Sequence, residues 1–294
     1  MALTKNLPIL SGIDSLRLKP RACVDVIGPW GSGKALAALQ AAGDRSLLIV
    51  THGRAEAEAV FEDLLTFDMP ERCVHFPAWE VLPTDAMAPA DDIVAERMNA
   101  LMRAQTARKL NEPVRMVAPV RSLLQYVVKR DALEKRTVSL TVGEEHDLEV
   151  LVAQLSELGY DRELMVEQRG QTSVRGGILD VFPISSELPY RIEFFGDEIE
   201  SIRRFEPETQ RSIGHEKSVT ILPRSEKRQI ASRELLAPLT QYFPDDALIV
   251  LDEPLAIREE VKKLAAQLGD NPYIMPWKTA KAELSKFTQL RIAQ

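Results

Sequence analysis

Residues 28–35 run Gly-Pro-Trp-Gly-Ser-Gly-Lys-Ala. A loop that cradles nucleotide phosphates needs glycines, so that backbone N–H groups can face the anion. It also needs a lysine to reach the β- and γ-phosphates, and then a serine or threonine to hold Mg²⁺. Gly28, Gly33 and Lys34 have the required spacing, with Gly31 between them, and Ala35 replaces the hydroxyl. The cradle and its cation are present; the metal ligand is missing. A second stretch, Leu248 to Glu253, places Asp252 and Glu253 at the end of an apolar run. P-loop ATPases keep carboxylates at such a strand end to hold Mg²⁺ and activate water. Three readings follow. One is an active P-loop ATPase using Lys34, Asp252 and Glu253. Another is the remnant of a P-loop nucleotide site that keeps its ancestry without hydrolysis. The third is an ordinary strand–helix turn and an exposed carboxylate pair. Pro254 follows directly, where helicase-type motors usually carry a further polar residue. Such motors also draw an arginine from a second motor domain. The residues after Glu253 are too few to build one, so hydrolysis would need a partner or further sequence.

The middle of the chain holds a basic set: Arg162, Arg169, Arg175, Arg191, Arg203, Arg204 and Arg211, interleaved with Glu193, Asp197, Glu198 and Glu200. Spacing favours a solvated hairpin with cross-strand ion pairs over a partner surface, although arginines do anchor interfaces. His52, His75, His146 and His215 are scattered without zinc-ligand spacing, and no nucleophile elbow occurs. No catalytic residue and no metal site are therefore expected. With 37 basic and 44 acidic residues, the net charge of −7 argues against bulk electrostatic binding of nucleic acid. Cys23 and Cys73 each have an apolar neighbour, as small hydrophobes in a reducing compartment do. No apolar run approaches the ~18 residues of a membrane span. The first twelve residues lack a signal core, so a cytoplasmic protein is expected.

The elements that must position these residues can be read in outline. Apolar runs at 22–27, 46–51 and 114–118 predict strands, and segments 34–42 and 55–67 predict helices, the second with Ala57, Val60, Phe61, Leu64 and Leu65 at helical spacing. A further helix is expected from Arg121. Strands alternating with helices imply a parallel sheet. After about residue 136 the pattern changes. Residues 147–159 predict a helix with Leu148, Leu151, Val152, Leu155 and Leu158 in one stripe and Gly159 at its end. Strand signals follow at 176–183, 190–195, 198–205 and 218–223, with Gly196-Asp197 as a hairpin turn. From about 225 the α/β character returns, with a strand at 246–254 and a helix at 258–269. An α/β domain is either interrupted by a small α+β domain, or followed by it and a second small unit.

The segments GGILDVFP (176–183), PYRIEFFGDEIESIRRF (189–205) and TQRS (209–212) resemble the N-terminal module of bacterial transcription-repair coupling factors, and more loosely the excision-repair protein UvrB. Residues 76–101 and ALIVLDEP (247–254) resemble other parts of the same module. The resemblance implies a RecA-like α/β domain, of the P-loop NTPase and helicase type, split by an inserted α+β domain that binds UvrA. It places the first part at 1–136, the insert at 137–224 and the returning part at 225–294. By similarity, Arg162 in the Gly-Tyr-x-Arg segment and Arg175 in the Arg-Gly-Gly segment are the expected UvrA contacts, with Phe182 as a neighbour. The family commonly has Gly-Glu-Phe-Ala before the second arginine, and this chain has Gly170-Gln171-Thr172-Ser173. The span 77–89 lacks the aromatic-rich DNA-clamping hairpin of UvrB, which points to the coupling factor. The implied function is an adaptor that recruits UvrA to stalled RNA polymerase. Its nucleotide site at Gly28, Gly31, Gly33, Lys34, Asp252 and Glu253 would be vestigial, with no cofactor of its own. RNA polymerase, DNA and ATP with Mg²⁺ would belong to family domains beyond this module, which itself would pack on other domains of a full-length coupling factor.

Overall fold

The computed structural model describes residues 18–81, 90–224 and 233–294. The first twelve residues, read above for a signal core, and residues 82–89 of the 77–89 span lie outside them. The chain falls into two compact units. One comprises Met1–Ala88, Asn99–Val127 and Leu236–Gln294, and the other Pro89–Met98 and Val128–Leu235. The second unit thus begins before the 137 and ends after the 224 read from the change of pattern. A backbone bond from Lys129 N–H to Leu235 O (2.8 Å) ties its two ends.

The first unit is built on a six-stranded sheet in the order Cys23–Ile27, Thr288–Ala293, Leu248–Asp252, Leu47–Thr51, Arg115–Pro119 and Cys73–His75. Every neighbouring pair is parallel. Leu47–Thr51, Arg115–Pro119 and Leu248–Asp252 are buried along their whole length, the condition under which strands read as continuous apolar runs. Helices Gly33–Ala42 and Arg54–Phe67 pack on one face. Ala35, Ala38, Ala57 and Leu64 meet Ile49, Val117, Val250 and Leu290 there. The alanines of Gly33–Ala42 let that helix lie close to the sheet. Gly43 ends it at φ 57°, donating its N–H to Leu39 O. The next carbonyls along are capped by a buried arginine. Arg115 donates to Gly43 O and Arg45 O and pairs with Asp68 at 2.8 Å. The bare carbonyls of the helix end itself are answered by Arg45, whose side chain donates to Ala41 O at 2.6 Å and Ala42 O at 3.2 Å.

Two expectations change here. The last long helix starts at Pro254, not Arg258, because proline fits the first helical position, where its missing N–H costs nothing. Strand Thr288–Ala293 was not foreseen. It lies second in the sheet and joins Cys23–Ile27 to Leu248–Asp252.

The second unit holds a six-stranded sheet in the order Ser212–Glu216, Glu198–Phe205, Tyr190–Phe195, Ile178–Val181, Gln171–Arg175 and Asp161–Arg162. It is antiparallel except for the last pair. The expected hairpin forms, with Phe195 opposite Glu198 and Gly196 at φ 63°. A bulge lies between Glu193 and Phe194. There Gly177 is required, since a Cβ on it would stand 2.9 Å from Phe194 O. Helix Leu148–Glu157 is capped by Asp147, whose Oδ1 accepts from Glu149 and Val150 N–H. Its Leu151 and Leu155 pack on Leu179, Val181, Ile192, Ile199 and Ile202. The 218–223 strand signal is realised as Ser218–Ile221, but it pairs with Val138–Thr141 in a separate ribbon. Leu140, Val219 and Ile221 of that ribbon complete the same core.

With one face apolar, period-two alternation must make the other face polar. The register aligns Ser173, Asp180, Arg191, Arg203 and His215 across five strands on that face. Cross-strand ion pairs form among these residues and their neighbours. Arg191 pairs with Asp180 at 2.8 Å, Arg203 with Glu193 at 2.7 Å, and Arg204 with Glu216. The ion-paired hairpin read from the basic set is therefore present.

Candidate functional site

The glycine loop and the carboxylate pair come together within the first unit. Strand Cys23–Ile27 ends at Gly28, at φ 109°, whose N–H donates to Ala293 O at 3.0 Å. Pro29 offers no N–H. Gly31 takes φ 54°, which a residue with a side chain adopts at a cost. Gly33 N–H then donates to Trp30 O and Lys34 N–H to Gly31 O, both at 3.1 Å. The backbone donors that a phosphate cradle would offer at these two positions are satisfied within the loop itself. Ser32 Oγ donates to Asp63 Oδ1 at 2.7 Å. Ala35 is buried against the sheet, in the core cluster.

Lys34 Nζ lies 2.8 Å from Asp252 Oδ1 and 2.9 Å from Glu253 Oε1. Glu253 caps the helix that begins at Pro254 and takes φ 55°, a left-handed conformation uncommon for a residue with a Cβ. Its carboxylate also accepts from Gln294 N–H at 3.1 Å. Burial alone would lower the Lys34 pKa, but its two carboxylate partners outweigh burial and leave it raised. Burial holds the Asp252 carboxyl above its usual range, while Lys34 pulls the other way. Chemically, this is a charge cluster closed on itself: the lysine has two protein anions where a nucleotide would bring phosphates. Position 35 supplies no oxygen ligand, and the N–H groups of Gly33 and Lys34 already have acceptors.

The second candidate site is the polar face of the second unit. Arg162 is exposed on the edge strand Asp161–Arg162, but its register with Thr172, which lies opposite Val181, puts it on the other side of the sheet from Arg175. Arg175, at the end of Gln171–Arg175, has a side chain 55% exposed and touches Asp180 Oδ2 at 3.3 Å. Phe182 is buried with Val166 and with Phe205, the ring on which Arg191 stacks, and so presents almost no surface to a partner. Asp180 was not singled out in the sequence. Its signal was a carboxylate inside the otherwise apolar strand Ile178–Val181, which requires a cation opposite. Among the described residues, no group of three or more His, Cys, Asp and Glu could hold a metal ion, and no helix is long and apolar enough to cross a membrane.

Residues 138–226 match the family model of the UvrB interaction domain. The chain is 33% identical to the transcription-repair-coupling factor of Myxococcus xanthus over 225 residues, 74% of this chain and 18% of that protein. It is 38% identical over 185 residues to the same factor of Mycobacterium bovis, covering 62% of this chain and 15% of the relative. The factor of Escherichia coli matches at 34% over 148 residues, 50% of this chain and 12% of that protein. The chain therefore spans less than a fifth of the length of these relatives.

Proposed function

Because residues 138–226 match the family model of the UvrB interaction domain, and the chain is similar in sequence to transcription-repair-coupling factors, we propose that it is an adaptor module that recruits UvrA in transcription-coupled nucleotide excision repair. The observation that carries this reading is the place of the family match. It falls within the second compact unit, where one face of the sheet packs the apolar core and the other carries ion-paired arginines, with Arg175 more than half exposed. Arg162 and Arg175 are the proposed UvrA contacts. The first unit is read as a RecA-like domain that the second interrupts, and its nucleotide site as degenerate. Ala35, the occupied N–H groups of Gly33 and Lys34, and the Lys34 ion pairs support that reading. On it, the chain hydrolyses no ATP and needs no cofactor. Translocation on DNA and contact with RNA polymerase belong to other parts of full-length coupling factors.

The test is direct binding of purified UvrA, followed by calorimetry. Wild type is expected to bind, and Arg162→Ala and Arg175→Ala to bind at least about 5-fold more weakly, as interface arginines do when truncated. No binding by wild type overturns the adaptor reading. Undiminished binding by both variants overturns the residue assignment. ATP turnover that Lys34→Ala abolishes would replace this reading with that of an enzyme.

A further inference from the structure

Asp180 is almost wholly buried, yet it serves two arginines that differ in their surroundings. Arg191 grips it with both ends of its fork, Nε to Oδ1 and Nη2 to Oδ2, each at 2.8 Å. The rest of that guanidinium is also engaged inside the protein. Nη1 donates to Gln210 O at 3.2 Å, and the guanidinium carbon sits 4.6 Å above the Phe205 ring. Among the described residues Arg175 makes one hydrogen bond, Nη2 to Oδ2 at 3.3 Å, and its side chain is more than half exposed. One carboxylate against two guanidiniums leaves a surplus positive charge, and the exposed arginine carries it. A guanidinium has five N–H donors in a rigid fork, so most of the Arg175 fork remains for an outside acceptor.

We infer that Asp180 is the positioning residue for Arg175, holding its fork ready for a carboxylate of the partner. The inference rests on the reading that Arg175 contacts UvrA. A long side chain free in solution loses rotamer freedom when it is captured, and an existing internal bond reduces that loss. Arg191 makes the arrangement stable, because it neutralises Asp180 without needing Arg175.

The experiment measures UvrA affinity by calorimetry for the 294-residue protein and its variants Arg175→Ala, Asp180→Asn, the Arg175→Ala/Asp180→Asn double and Arg175→Lys. Asp180→Asn is expected to weaken binding about 5-fold in the wild-type background and to have no further effect on Arg175→Ala, since coupled residues are non-additive. Arg175→Lys is expected to bind nearly as poorly as Arg175→Ala, because an ammonium cannot reproduce the fork. Asp180→Asn leaves Arg191 without its anion and risks unfolding, so Asp180→Asn/Arg191→Met, which removes both buried charges together, is measured beside it. It too is expected to lose about 5-fold. If Arg175→Ala binds as wild type does, the contact reading itself fails. If Arg175→Ala binds weakly, three results overturn the positioning role alone: full affinity when the Asp180 carboxylate is removed, an Asp180→Asn loss that persists unchanged without Arg175, or full affinity for Arg175→Lys.

Discussion

Replacing Lys34 with methionine tests whether the glycine loop is held shut by charge. The Asp252 side chain is 5% exposed and Lys34 12%, so removing the ammonium leaves a buried carboxylate with little water to answer it. Breaking such a pair by deleting one partner costs about 3–5 kcal/mol. Glu253 keeps more water contact, which places the expected loss near the lower end, about 3 kcal/mol. The loss should depend on pH in a definite direction. Asp252 already has a raised pKa from burial, which Lys34 opposes. Without Lys34, burial and the neighbouring Glu253 charge push the pKa further up. A raised carboxyl pKa means that the native state binds the proton more tightly than the unfolded chain does. Its penalty is therefore full above the folded pKa and fades as pH falls through it. Urea unfolding at pH 8, 7, 6 and 5 should show the Lys34→Met deficit shrinking toward acid, by at most about 1.4 kcal/mol per pH unit. Lys34→Met/Asp252→Asn should recover most of the loss at pH 8. A deficit below about 1 kcal/mol that does not change with pH would refute the reasoning, since it would mean the charges are already solvated.

Two further outcomes follow from buried groups. Burial pushes the Cys73 thiol up to about 11, while Cys23 is exposed. Because the thiolate is the nucleophile, iodoacetamide at pH 8 should modify one cysteine of the native protein and two in urea, counted by mass spectrometry. The buried Tyr160 hydroxyl donates to Leu222 O at 2.9 Å and accepts from Ile184 N–H at 3.4 Å. Tyr160→Phe should lower unfolding free energy by about 1–3 kcal/mol, because it leaves both backbone groups unpaired; a change under about 0.5 kcal/mol in urea melts would show that water replaces the hydroxyl.

What could be read from the sequence follows burial. Strands Leu47–Thr51 and Leu248–Asp252 are buried on both faces and announce themselves as apolar runs. Helix Leu148–Glu157 and the Gly196-Asp197 hairpin carry both periodicity and end signals. Thr288–Ala293 stayed hidden because its buried side is only Thr288, Leu290 and Ile292, with Gln289, Arg291 and Ala293 between. Arg291 on that strand pairs with Asp25 at 2.7 Å, a contact no local pattern reveals. The same holds for the sites. The glycine loop and the Asp252-Glu253 pair were visible as motifs, but their closure by Lys34 joins residues more than two hundred positions apart. Arg175 was visible, and Asp180 was not, because its meaning depends on the register of three strands.

The position of Thr288–Ala293 has a consequence for how the protein is made. Cys23–Ile27 meets the sheet only through this strand, hydrogen-bonded register by register to residues 289–293. The ribosome releases the early strand long before its neighbour exists. During that interval Val128–Leu235 emerges with every strand of its own six-stranded sheet and can fold as a unit. The first unit must wait with an unpaired strand, at synthesis rates of roughly 5–20 residues per second. Its sheet closes after the second unit's strands are complete, so folding order departs from chain order for the glycine loop: made before the second unit, it is fixed in place after it.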